Sequence, residues 1–281
     1  MSSPTIRVSL AQINSTADPA ANLAVIRTRA EEARAAGARL VVFPEATMCA
    51  FGNPLKPVAE PLDGPWATAV RDMARELDIV IMVGMFTPGT DGRVRNTALV
   101  TGPGVEAAYD KIHLFDAFGF AESDTVEPGD RPVTFTLDGV TFGLAICYDI
   151  RFPALFTANA AAGADVNIVC ASWGAGEGKA DQWTLLARAR ALDSTSFVLA
   201  VDQADPAAAG GEARSKAPLG VGHSLAVSPL GVPLAELGAE PGLLTVDLEL
   251  AQVAQVRSHL PVLANAKPVP AAGATTAAAG A

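Results

Sequence analysis

Short apolar blocks alternate along this chain with longer stretches rich in Ala, Arg and Glu. Residues 6–13 read as a first strand. Asp18-Pro19 then supplies a helix cap followed by proline at the first helical position, and the helix runs to residue 36, where Gly37 ends it. The apolar block 40–43 is a second strand that breaks at Pro44-Glu45. Residues 65–77 predict a helix and 79–86 the strand after it. Residues 96–100 and 106–110 read as paired strands about a Gly-Pro-Gly turn at 102–104. Residues 133–137 and 140–146 flank Asp138-Gly139, a strong hairpin signal. Helices at 153–162 and 182–192 alternate with strands at 166–170 and 196–201. A second hairpin, 223–228 with 232–236 about Pro229-Leu-Gly231, precedes a late strand at 243–248.

Strands thus alternate with helices, but hairpins are mixed in. The pattern predicts an α/β chain with mixed sheets rather than purely parallel ones. It also predicts one domain over residues 1–263, followed by a disordered Ala/Pro-rich tail over 264–281. Residues 205–218 read as a mobile surface loop.

Bulk properties narrow the function. Of 281 residues, 50% are hydrophobic, enough for a large core, and mean hydropathy is +0.29. No apolar run is long enough to span a bilayer, so no membrane partner is expected. The net charge of -10 and the lack of any basic stripe argue against nucleic acid as a partner. An anionic substrate must be held by local cations against the overall field. The three cysteines, Cys49, Cys147 and Cys170, build neither a disulfide framework nor a CxxC zinc pattern, which fits a reducing cytosol. The N-terminus carries no signal-peptide pattern, so a cytoplasmic location is expected. There is no glycine-rich phosphate loop and no HExxH spacing, and neither a cofactor nor a metal is expected.

Candidate chemistry collects at strand ends. An apolar strand stops at Cys147, and Tyr148, Asp149 and Arg151 follow at once. A thiol at a sharp strand end suits a nucleophile, although free cysteine is also a common core residue. Glu45 lies just past another strand end, where a helix N-terminal carboxylate is an equally good reading. Lys111 ends a third strand, where a solvated loop lysine is the plainer reading. Ends of strands on one sheet edge are where α/β proteins build sites.

Three segments, Val41-Val-Phe-Pro-Glu45, Tyr109-Asp-Lys111-Ile-His-Leu-Phe115 and Ile146-Cys147-Tyr-Asp-Ile-Arg-Phe-Pro153, resemble the signature segments of the nitrilase superfamily of carbon–nitrogen hydrolases, in order and spacing. The resemblance runs from about residue 6 to about residue 250. It implies a four-layer α-β-β-α sandwich and a Glu45-Lys111-Cys147 triad that hydrolyses a terminal amide through a thioester, releasing ammonia. Glu122, in Glu-Ser-Asp-Thr-Val-Glu-Pro-Gly129, matches the family's second glutamate, with Glu127 as a plain loop carboxylate. The resemblance also implies a homodimer or larger homo-oligomer.

Cys-Tyr-Asp-Ile-Arg-Phe-Pro is similar to the amidase branch that holds deaminated glutathione amidase and ω-amidase, in that order of fit. Arg151 is then a candidate for a substrate carboxylate, unless it pairs with an acid such as Asp149 or a dimer neighbour. Trp173 and Tyr148 are candidate pocket residues, with Trp173 nearly as well read as a core aromatic. Asp116-Ala-Phe118-Gly-Phe120 reads as a lid, or its phenylalanines as ordinary packing. A non-catalytic binding member of the fold is the competing reading from another class.

Overall fold

Leu40-Val41-Val42 has no polar position because both of its faces are buried. Leu40 and Val42 point into the core between two sheets, while Val41 points to a second core under helices. The same alternation repeats one strand away, where Val80 and Met82 face the first core and Ile81 and Val83 the second. Such strands need a covering layer on each side, and the chain supplies it.

The computed structural model describes residues 5–210 and 217–268. In the first half, β1 (Thr5–Gln12), α1 (Pro19–Ala35), β2 (Leu40–Val42), α2 (Pro65–Leu77) and β3 (Val80–Pro88) make two parallel crossovers. β4 (Val94–Gly102) and β5 (Val105–Asp110) extend that sheet antiparallel. A small hairpin follows, β6 (Asp116–Ala117) with β7 (Phe120–Ala121).

The second half repeats the plan with β8 (Thr134–Leu137), β9 (Val140–Ile146), α3 (Pro153–Ala161), β10 (Val166–Ala171), α4 (Lys179–Ser194), β11 (Phe197–Asp202), β12 (Leu225–Val227) and β13 (Pro233–Glu236). β14 (Gly242–Glu249) then returns to the first sheet, antiparallel to β1. α5 (Ala251–His259) and α6 (Val262–Asn265) close the described chain.

The two sheets are six-stranded, ordered β14-β1-β2-β3-β4-β5 and β13-β12-β11-β10-β9-β8. They face each other through one apolar core, with α1 and α2 outside the first and α3 and α4 outside the second. This is the four-layer α-β-β-α sandwich. β1-β2-β3 and β9-β10-β11 are parallel runs, so the carboxyl ends of each run lie on one edge of its sheet.

Pattern and structure agree on nearly every element, with boundaries moved by a few residues. The differences include α5, the start of the tail and the short β6–β7 hairpin, which the pattern does not predict. α5 was not anticipated, because only Val253 and Val256 of this short, mixed segment are buried. The expected tail starts too early, since Ala264 and Asn265 belong to α6; residues 269–281 lie outside the described residues. In the expected loop at 205–218, residues 206–210 form a hydrogen-bonded turn, and 211–216 lie outside the described residues.

Candidate active site

Four strand ends converge on a buried cluster of ionisable groups. β2 delivers Glu45, which is only 1% exposed. The chain then turns back across β3 with Ala46 at φ 58°. Gly84 on β3 makes this possible: a Cβ there would lie 2.7 Å from the Ala46 amide nitrogen and 2.9 Å from the Glu45 Cα. Glu45 Oε1 accepts hydrogen bonds from Asn96 Nδ2 at 2.7 Å and Lys111 Nζ at 3.1 Å. Its Oε2 accepts one from the Ser172 amide at 2.8 Å, and its backbone carbonyl one from Gln203 Nε2 at 2.9 Å.

Lys111 follows β5 and is also buried. Its ammonium donates to both oxygens of Glu122, at 2.9 and 3.0 Å, as well as to Glu45. The Phe115 amide donates to the same Glu122 at 2.7 Å. The Pro-Gly that follows this glutamate also has a packing reason. The Gly129 amide donates to the Lys111 carbonyl at 2.8 Å, and a Cβ at Gly129 would sit 2.2 Å from the Asp110 carbonyl oxygen. Glu127, by contrast, points away to Arg95 at 2.6 Å and to Thr90.

Cys147 ends β9 at φ 48°, in the left-handed region that a non-glycine residue adopts only when its surroundings enforce it. The enforcement is visible. The buried Asp149 carboxylate accepts from the Ile146 amide at 2.9 Å, Tyr109 Oη at 2.7 Å and the His113 amide at 2.9 Å, and it lies 2.7 Å from His113 Nδ1. The His113 ring stacks on Phe152 at 3.7 Å. The polar letters of the Lys111 segment thus hold the turn of the Cys147 segment.

The charges in the cluster shape one another. Burial raises the Glu45 pKa above its ordinary value; the Lys111 cation opposes that rise and Glu122 adds to it. Burial would lower Lys111, but the flanking Glu45 and Glu122 carboxylates outweigh it and hold the ammonium charged well beyond its usual range. Burial and the negative charge of Glu45 push the Cys147 thiol well up, against the pull of Lys111. The thiol is therefore held in its protonated form, with the Glu45 carboxylate and the Lys111 ammonium as its charged neighbours.

Arg151 does not pair with Asp149, whose oxygens are taken up by Tyr109, His113 and the Ile146 amide. Its guanidinium donates to Gln182 Oε1 at 2.9 Å and lies 5.1 Å over the Trp173 ring. Trp173 is buried, donates its amide to Asp202 at 2.8 Å and its indole N–H to the Lys179 carbonyl at 3.0 Å. Tyr148 is half-buried, edge-on to Phe115 and Phe152. A cleft of about 380 Å³ is bordered by Asn14, Phe51, Ser172 and Gln203, the last two of which hydrogen-bond Glu45. Among the described residues, no group of three or more His, Cys, Asp or Glu side chains could hold a metal ion, and no helix is long and apolar enough to cross a membrane.

Sequence reasoning missed Asn96, Ser172 and Gln203, and weighed Asp149 only as a partner for Arg151. Asn96 and Asp149 left a signal, as polar residues in or against strands that are otherwise apolar. Ser172 acts through its backbone amide, which leaves none.

The family model for carbon–nitrogen hydrolases matches residues 7–258, and the chain belongs to that family. It is 57% identical to Hydrolase Rv0480c of Mycobacterium tuberculosis over 92% of this chain and 95% of that protein. It is 33% identical to a deaminated glutathione amidase of Escherichia coli O157:H7 (75% of this chain, 77% of that protein). It is also 33% identical to human omega-amidase NIT2 (82% and 84%). A solved amidase from Nesterenkonia sp. AN1, bearing an acetamide moiety on its active site cysteine, superposes with a TM-score of 0.75 at 26% identity, over 91% of this chain and 95% of that one. The chain is a carbon–nitrogen hydrolase of the amidase type.

Proposed function

We propose that Cys147 is the nucleophile of this hydrolase, with Glu45 as its base, Lys111 as the oxyanion-stabilising cation and Glu122 as the carboxylate that holds Lys111. One observation carries the reading: a thiol on a strand-end turn at φ 48°, in the field of a buried ammonium that two buried carboxylates, Glu45 and Glu122, share. Glu45 accepts the thiol proton as sulfur bonds to the amide carbon. The oxyanion that forms is met by Lys111 and a backbone N–H following Cys147. The carbon–nitrogen bond breaks as Glu45 returns its proton to the leaving amine. The thioester left on Cys147 is hydrolysed by a water that gives its proton to Glu45, releasing a carboxylic acid and restoring the thiol.

The substrate is an amide bearing a carboxylate, and deaminated glutathione fits first. Arg151, four residues beyond Cys147, offers a bidentate guanidinium with no acid paired to it among the described residues. Trp173, which carries the Arg151 guanidinium, and Tyr148, next to Cys147 in the chain, are the proposed pocket walls. An ω-amidase acting on α-ketoglutaramate is the second reading, favoured by the similarity to human omega-amidase. The two differ in leaving group, ammonia from α-ketoglutaramate and cysteinylglycine from deaminated glutathione.

The active form is a homo-oligomer, most simply a dimer, working in the cytoplasm. Leu185 and Leu192 lie two turns apart on the outside of α4, and both are exposed. Leu192 packs against Gly231, which is flanked by the exposed Leu230 and Val232. A second copy of the chain would cover this apolar face.

The test is release of α-ketoglutarate from each amide. Cys147→Ala should lose about 10⁴-fold or more in rate with its fold intact, and Lys111→Ala about 10²–10³-fold. Wild-type turnover by Cys147→Ala would overturn the mechanism. An electrophilic thiol probe separates enzyme from binding protein: one fast thiol among three supports catalysis, and three ordinary ones oppose it.

A further inference from the structure

A circuit of contacts begins and ends on the Cys147 turn. Tyr148 meets Phe115 edge-on at 5.1 Å, and Phe115 meets Phe118, at the tip of the β6–β7 hairpin, at 6.3 Å. The Phe118 ring lies 5.3 Å beneath the ammonium of Lys179, the first residue of α4. The Lys179 carbonyl accepts the Trp173 indole N–H, and Trp173 carries the Arg151 guanidinium, which returns to the turn.

The circuit holds two cations, Arg151 and Lys179. Among the described residues neither is paired with a carboxylate: Arg151 has Gln182 and an indole, Lys179 an aromatic ring. Most described arginines find an acid, which sets Arg151 apart, whereas Lys111 is the one described lysine that does. A cation resting on an exposed phenylalanine exchanges that weak contact readily for a carboxylate. Phe118 itself is 89% exposed, held at φ 54° beside Gly119 in a two-residue turn.

We propose that Lys179 is a specificity-determining residue that takes a second carboxylate, on the leaving-group side of the scissile amide, while Arg151 takes the first, on the acyl side. The substrate class is then an amide with a carboxylate at each end. This rests on the amidase reading above. It separates the two candidate substrates: deaminated glutathione has a carboxylate on its leaving group and α-ketoglutaramate has none. Both leave the same α-ketoglutaryl thioester on Cys147, so a contact confined to the leaving group acts before the amine departs and is silent afterwards.

The experiment compares Lys179→Ala and Lys179→Arg with the wild type on three amides: deaminated glutathione, its analogue with the glycine carboxylate capped as an amide, and α-ketoglutaramate. Lys179→Ala should lower kcat/KM for deaminated glutathione about tenfold, mostly through KM. It should change the other two less than twofold and leave the hydrolysis rate of the common thioester untouched. Lys179→Arg should restore most of the loss, and salt should shrink the difference. Equal losses on all three amides, or none on any, would overturn the proposal. If the wild type turned over no amide, the amidase reading would fall, and calorimetry with the Cys147→Ala protein would still decide on Lys179. Deaminated glutathione should bind about tenfold more weakly once Lys179→Ala is added, and unchanged affinity would refute the contact.

Discussion

The surroundings of Glu45 suit the role of base proposed for it. Four donors reach it, three on its side chain and one on its carbonyl, yet burial still raises its pKa. A carboxylate of ordinary acidity would be a poor acceptor for a thiol proton, and the raised value brings donor and acceptor closer. The pH dependence follows in sign. Below its raised pKa Glu45 is neutral and cannot take the proton, so kcat/KM should fall toward acid with a limb above the ordinary carboxylate range. Glu45→Gln should abolish that limb along with most of the activity. Because the thiol is pushed up rather than down, no thiolate absorbance should separate wild type from Cys147→Ala at neutral pH. A thiolate band there would mean that the ion pair is already formed and that Glu45 is not the acceptor in the step.

At the scale of elements, the site depends on strands that end in register and on close backbone approaches. Gly84 lets the residues after β2 fold over β3 and carry Glu45 to Lys111. Gly84→Ala should therefore destabilise the protein by about 1–3 kcal/mol in denaturant melts and reduce kcat through displaced Glu45. A variant as stable and active as wild type would show that the loop relaxes without cost. Most of this element plan is legible in the sequence, since apolar blocks of strand length, Asp18-Pro19 and Asp138-Gly139 each specify local geometry. The β6–β7 hairpin is less legible, because its strands are two residues each, too short for a period. α5 is hidden for a similar reason: two buried valines do not make a stripe.

On the scale of the whole molecule, the sandwich buries Glu45, Lys111 and Glu122 together, and buried charges persist only when paired. The outer face of α4 is the opposite case, apolar and uncovered. Leu185→Glu with Leu192→Glu should convert a dimer to a monomer in light scattering while leaving the circular dichroism spectrum unchanged. Wild type that already runs as a monomer would remove the dimer from the picture.

The chain's own order of residues determined the alternation of helices and strands and the three polar segments at strand ends, whose resemblance to a family singles out Cys147, Glu45, Lys111 and Glu122 as candidates. These are local facts, written in runs of a few residues. Only the tertiary structure decided that Glu122 and Glu45 share one ammonium, and that Asp149 is spent on His113 and Tyr109 rather than on Arg151. It alone brought the amide of Ser172, 127 positions away, onto Glu45. Those pairings join residues from different strands and loops through buried space, where the cost of an unpaired charge or N–H selects partners that no local pattern records.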